Sequence, residues 1–308
     1  MPTGCGGDDD SGDSAPPPAR AADFPKANGK TLAQLRSKLP QGGPVLAPAV
    51  SVLVPGTNRF GFGLFDRSRA QIADAAVSLY FAPIGGGPAE GPFPARYESL
   101  AVRPQFQSKT VQQDPDAAKS VYVADLDFPK PGKYEVFAIA RLGKRLVAAT
   151  QAGPPATVVA HDPVPNVGDP APRIHTPTKA DVAGDVSKID TRVPPSDMHD
   201  VDFADVVGKK PVVLVFATPQ LCQSRVCGPV VDLALQLEAS HPDDAAFIHM
   251  EIYNDNSIDK GFRPQVAAFH LPSEPWVFVV DKKGKIAARI EGAFSERELE
   301  AALKKATG

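Results

Sequence analysis

Cysteine is scarce in this 308-residue chain, with three in all, beside three methionines and one tryptophan. That excludes a cysteine-dense secreted scaffold and, with six scattered histidines, a zinc ribbon. Long apolar runs are missing too. The longest core-like run, Val212 to Ala217, falls far short of the roughly 18 residues of a membrane span. Neither sign of charge is in excess: 33 basic and 36 acidic residues leave a formal net charge of −3. Such a balance gives no electrostatic footprint for nucleic acid, so none is expected as a partner.

Proline is plentiful, at 33 residues, with eight in residues 1–50 and nine in 151–200. These clusters read as a tail and a linker, and they divide the chain into residues 1–43, 44–162 and 163–308. Residues 1–22 carry four acids and no large apolar residue beyond Met1, so burial cannot offset the entropy of ordering them and a disordered tether is expected. At its head, Thr3, Gly4 and Cys5 form a small-small-Cys triplet that resembles the start of a mature bacterial lipoprotein, although Pro2 stands where such a signal normally has Leu. The resemblance implies acylation of Cys5, a lipid anchor on the cell membrane and an extracytoplasmic location. Thr31 then caps a short helix with Leu32, Leu35 and Leu39 at helical spacing.

Residues 44–162 change to a strand pattern. Short apolar or alternating runs recur at Ala49–Val54, Phe60–Phe65, Ala75–Phe81, Val121–Phe128, Tyr134–Ala140, Leu146–Thr150 and Thr157–Ala160. Seven such runs predict an all-β immunoglobulin-like sandwich. Phe128 to Val136, with its Pro-Lys-Pro-Gly turn, resembles the penultimate hairpin of small extracytoplasmic sandwich modules. The polar stretch Gln105–Lys119 reads as an exposed connection. Without a catalytic constellation, this part reads as a spacer or partner-recognition module.

Residues 153–172 hold six prolines, a semi-rigid spacer by composition. Beyond it the pattern is α/β. A valine-rich run over Pro211–Ala217 predicts a strand buried on both faces, and Val230, Leu233, Ala234 and Leu237 predict an amphipathic helix. A strand at Phe247–Tyr253, a helix at Pro264–Phe269, a strand at Trp276–Val280 and a strand bearing Ile286, Ala288 and Ile290 follow. Ser295 and Glu298 form a capping-box signature for a last helix. This order, with Val167–Pro172 as an entry segment and Asp281–Lys285 as its last turn, resembles the thioredoxin-like superfamily over roughly residues 166–308. The resemblance implies a cis-proline at Pro275 that faces the active site and holds substrate backbone.

Cys222 and Cys227 lie between the first buried strand and the first amphipathic helix, where helix N–H groups and the helix dipole favour a thiolate. Arg225 adds a positive charge nearby. Cys227-Gly228-Pro229 matches the first three residues of the family's Cys-Gly-Pro-Cys, but Val230 replaces its second cysteine and the pair here is Cys-x4-Cys. Leu221 replaces the usual Trp, and the strand Val213–Phe216 has no buried acid. The resemblance implies a thiol-disulfide oxidoreductase with Cys222, Cys227 and Pro275 as its site, a protein thiol or disulfide as its partner, and no cofactor or metal. Two readings stand beside it: a non-catalytic binding module in which the pair is a structural disulfide, and a Sco-like copper chaperone with His270. Which cysteine is the nucleophile stays open, because the Cys-Gly-Pro match points to Cys227 and the order along the chain to Cys222. Glu274 reads as a solvated loop charge, and His249 and Met250, on opposite strand faces, are not read as a site.

Overall fold

The apolar alternation of the first half builds nine strands in the computed structural model, which describes residues 16–40 and 42–308. Cys5 and its expected acylation lie outside the described residues. The strands are β1 (Val45–Pro48), β2 (Gly56–Phe65), β3 (Ala76–Pro83), β4 (Glu90–Pro94), β5 (Arg96–Ser99), β6 (Ser120–Phe128), β7 (Gly132–Leu142), β8 (Arg145–Gln151) and β9 (Ala156–Val158). They pair in the order β4-β3-β7-β8-β1-β2-β6-β5, with β9 on β7. Strand β1 is antiparallel to β2 and parallel to β8, and there the sheet folds back on itself. Phe62, Leu64, Tyr122 and Leu126 from β2 and β6 share one core with Val77, Leu79, Val136 and Ala138 from β3 and β7. Phe81 and Phe128 close it with ring centroids 4.6 Å apart.

Three expectations change here. The run Ala49–Val54 contributes only a bridge from Leu53 to Val158, because the Asn58 side chain takes up both the N–H and the carbonyl of Val54. Strands β4 and β5 carry no clear apolar alternation; Pro92 and Pro94 are accommodated because β4 is an edge strand. The boundary expected at residue 43 lies inside a packed body. Phe24, Ala27, Leu32 and Leu35 cover Tyr80, Phe137, Ile139 and Ala148 on the outer face of β3, β7 and β8. Helix α1 (Leu32–Arg36) has the expected Thr31 cap.

The second half follows its periodicity closely: α3 (Phe203–Val206), β10 (Val212–Phe216), α4 (Cys227–Ser240), β11 (Ala246–Met250), α5 (Pro264–Ala268), β12 (Trp276–Val280), β13 (Ile286–Glu291) and α6 (Glu296–Thr307). The sheet order is β11-β10-β12-β13, with β10 parallel to β11 and antiparallel to β12, and β12 antiparallel to β13. Strands β10, β11 and β12 are buried along their whole length, which is why β10 and β12 read as continuous apolar runs. Helices α4 and α6 cover one face; Phe203, Val266 and Phe269 of α3, α5 and the residue after α5 cover the other.

The linker is not a free spacer. Gly168 N–H donates to the Ile286 carbonyl at 2.8 Å and Ile286 N–H donates to the Asp169 carbonyl at 2.9 Å, so residues 168–171 lie along β13. Arg289 holds the Val164 carbonyl at 2.9 Å and pairs with Asp162. The two halves also share a core. On β6, Tyr122, Ala124, Leu126 and Phe128 face the core of the nine-stranded sheet, whereas Val121 and Val123 pack with Leu233 and Leu299 of α4 and α6.

Polar contacts lock this junction. Arg59 Nη2 meets Glu298 Oε2 at 2.8 Å and also donates to the Ala293 carbonyl at 2.8 Å. The expected capping box is therefore half-made: Ser295 accepts from Glu298 N–H, but the Glu298 carboxylate turns to Arg59. Gln105–Lys119 connects β5 to β6 without a strand and is largely exposed, as expected, but it is anchored on the second half. Its helix α2 (Lys109–Gln113) lies on α4, with the buried Ser108 donating to Asp232 Oδ2 from its N–H at 2.9 Å. Asp232 in turn pairs at 2.8 Å with Arg192, whose remaining guanidinium groups donate to the Phe106 and Pro194 carbonyls at 2.7 Å.

Arg192 and Asp232 are 4% and 1% exposed in their side chains, so removing one partner strands a buried charge. Asp232→Ala is expected to cost about 3–5 kcal/mol in urea unfolding. The double change with Arg192→Met should cost less than Asp232→Ala alone; an equal or larger cost refutes the assignment.

Candidate functional site

Both expected cysteines are free thiols at the start of α4. Residues 218–226 leave β10 as a loop, and the helix begins only at Cys227, so five-residue spacing does not drive the pair onto opposite helix faces. Arg225 makes the turn in the left-handed region, at φ 56°, which brings the chain back over Cys222. The Cys227 thiol donates to Cys222, and this is the largest cause holding the Cys222 pKa down at about 6. Burial opposes the shift; the Ser224 hydroxyl, 3.2 Å from Cys222 Sγ, and the N–H groups of Cys227 and Val226 reinforce it. Cys227 is fully buried. Burial and the neighbouring Cys222 push its thiol well above the usual range, against a hydrogen bond from Thr218 N–H.

The two thiols are thus unlike: Cys222 is the more exposed, with its pKa lowered, and Cys227 the buried one, with its pKa raised. The Cys-Gly-Pro match falls on the first turn of α4, and Cys222 lies in the loop before it. Arg225 does not serve the thiolate as expected. Its Nη1 is drawn to Asp114 at 2.6 Å and Asp116 at 2.9 Å from the first half.

Pro275 is buried at the entry of β12, joined to Glu274 by a cis peptide, and its carbonyl accepts from Gly292 N–H at 2.8 Å. Glu274 is more than a solvated charge. It is partly buried and within electrostatic reach of both thiols, and burial followed by Cys222 raises its pKa. Tyr253 senses the same three groups. His270 is exposed at the end of α5 and forms no ligand cluster with the thiols among the described residues, so the copper reading finds no geometry here.

Beside Cys222 runs an open groove of about 860 Å³. One wall is Cys222, Gln223 and Arg225; the other is Lys109, Val111 and Asp114 of the first half. Sequence patterning misses this wall because Gln105–Lys119 has no long apolar period, only Val111 facing Gly228. A Cβ built on Gly228 would meet Val111 Cγ2 at 2.8 Å, so glycine is what lets α2 approach α4.

No protein-family model matches the chain, and no curated protein matches it. A solved structure described as a thioredoxin-like superfamily protein is similar at 21% identity, over 35% of this chain and 86% of its own, with a TM-score of 0.29.

Two outcomes are expected. The rate of Cys222 alkylation by iodoacetamide should follow a single ionisation near pH 6 and level off above it, while Cys227 stays unlabelled in the native chain; a midpoint above pH 8 contradicts the hydrogen-bond set. Gly228→Ala should destabilise the protein by about 1–3 kcal/mol through overpacking, and Val111→Ala should restore much of that. Additive costs in a denaturant series would show that the two residues do not meet.

Proposed function

We propose that residues 163–308 are a thioredoxin-like thiol-disulfide oxidoreductase acting through Cys222 and Cys227, and that residues 44–162 are an immunoglobulin-like module packed against it. The observation that carries this reading is the pair of free thiols with opposed ionisation at the N-terminus of α4. The sheet order β11-β10-β12-β13, with its one parallel pair, supports the thioredoxin-like class. A sheet folded over one core through β1 supports the sandwich class.

In this mechanism the Cys222 thiolate attacks one sulfur of a protein disulfide. A Cys222–substrate disulfide forms and the other substrate sulfur leaves as thiolate. Cys227 then loses its proton and attacks Cys222 Sγ, giving the Cys222–Cys227 disulfide and releasing the second substrate thiolate. Glu274, within electrostatic reach of Cys227, draws on that proton, since β10 carries no acid. Two electrons pass to the substrate, and a dithiol donor must restore the pair. Pro275 presents the substrate backbone, and the groove between Arg225 and α2 receives the flanking residues. The small-small-Cys triplet and the polar residues after it support an acylated Cys5 that tethers this module outside the cytoplasm.

Cys227→Ser should trap a covalent adduct between Cys222 and a disulfide-bearing peptide, stable until dithiothreitol is added. Cys222→Ser should trap none. A reduction potential below about −300 mV for the pair, with no adduct from either variant, would leave a structural staple instead.

A further inference from the structure

Outside the thiol site, Asp190, His199 and His249 meet in the interior at 1%, 2% and 1% exposure. They come from separate parts of the second half: Asp190 and His199 from the irregular segment before α3, His249 from β11. We propose that these three side chains form a binding site for a divalent transition-metal ion of the zinc class, through Asp190 Oδ2, His199 Nε2 and His249 Nδ1.

Distances argue for an ion. His199 Nε2 lies 3.2 Å and His249 Nδ1 3.3 Å from the same Asp190 oxygen. The buried Arg192–Asp232 pair, at 2.8 Å, and the His241–Asp244 pair, at 2.7 Å, are tighter. Ligands about 2.0–2.1 Å from a shared tetrahedral zinc ion stand about 3.3–3.4 Å from each other, which is the spacing seen. Moreover, His249 Nδ1 has no hydrogen-bond partner despite complete burial. Its other nitrogen, Nε2, donates to the Ala217 carbonyl at 3.0 Å, which leaves a lone pair on Nδ1 in the neutral ring. That lone pair and the carboxylate oxygen then converge, and either a proton or a metal ion between them supplies the positive charge the pair calls for.

Two of the three side chains, Asp190 and His249, are held from behind. Arg192 N–H donates to Asp190 Oδ1 at 2.7 Å, and Ser196 donates to Oδ2 from N–H at 2.7 Å and Oγ at 2.8 Å. The Nε2 contact fixes the His249 ring as an outer partner of a metal ligand does. Two imidazoles and a carboxylate suit zinc, and three protein ligands leave a fourth position for water. The ion would also brace the redox loop from below: Ala217 immediately precedes Thr218, which bonds Cys227, and Thr191, beside Asp190, accepts from Gln220 N–H at 3.2 Å.

The test uses the full chain with Cys5→Ala, Cys222→Ala and Cys227→Ala, so that no thiol competes. After incubation with Zn²⁺ and exhaustive dialysis, about one equivalent should be retained and the thermal midpoint should rise. Co²⁺ should give tetrahedral visible bands without a thiolate charge-transfer band. His199→Gln and His249→Gln should each abolish retention, and His270→Gln should not. A natively folded thiol-free chain that retains no metal would show that a proton alone occupies His249 Nδ1, and would overturn the proposal. So would retention that survives both histidine changes. If the thiol-free chain fails to fold, the Co²⁺ spectrum of the unmodified protein decides: tetrahedral nitrogen and oxygen bands lost in His249→Gln support the site, and thiolate bands alone refute it.

Discussion

The buried Arg192–Asp232 pair is the constraint on which the rest of the molecule is arranged. Taking two charges out of water is costly, and the cost is recovered only when every remaining donor and acceptor finds a partner. Here the guanidinium reaches Asp232 on α4, the Phe106 carbonyl in the first half and the Pro194 carbonyl in the intervening segment. Asp232 in turn accepts from Ser108. Three stretches far apart in sequence therefore have to meet behind the helix that begins at Cys227. Burial nonetheless raises the Asp232 pKa, so the pair specifies geometry more than it adds stability.

From that junction the site inherits its shape. Ser108 caps α2, α2 rests on Gly228, and Asp114 and Asp116 draw Arg225 away from the sulfur it follows. The thiolate at Cys222 consequently rests on neutral donors, a thiol, a hydroxyl and two peptide N–H groups, and not on a formal cation. Neutral donors are little affected by ionic strength, whereas a nearby arginine would be screened. The first half thus supplies a wall of the groove and holds the Arg225 turn.

What the sequence made legible was whatever repeats. Val212–Phe216 and Trp276–Val280 are continuous apolar runs, and Val230 to Leu237 keep the helical period, so the elements of the second half could be read with small errors at their ends. The cysteine pair was legible by its position between strand and helix. Its polarity was not, since it depends on where α4 begins and on Arg225 adopting a positive φ. Strands β4 and β5, the contacts of Gln105–Lys119 and the pairing of residues 168–171 rest on backbone bonds and tertiary partners that leave no periodic mark. Glu298 shows the limit of local motifs: the capping pattern was present, but Arg59, 239 positions away, outcompeted the helix N-terminus for its carboxylate. His249 shows another, for strand alternation said which face it took and nothing of the Asp190 and His199 that wait there.

The segment between the two sheets has one more consequence. Residues 168–171 occupy the free edge of β13, and at the opposite edge His249 N–H on β11 donates to the Met198 carbonyl at 2.9 Å. Both margins of the four-stranded sheet are thus shielded by the chain that precedes it, where an open margin would template association with another strand. A fragment cut at the start of β10 would keep the thiols, α4, α5, α6 and the sheet, yet lose its protection against self-association; the segment before β10 is what keeps this sheet from adding strands.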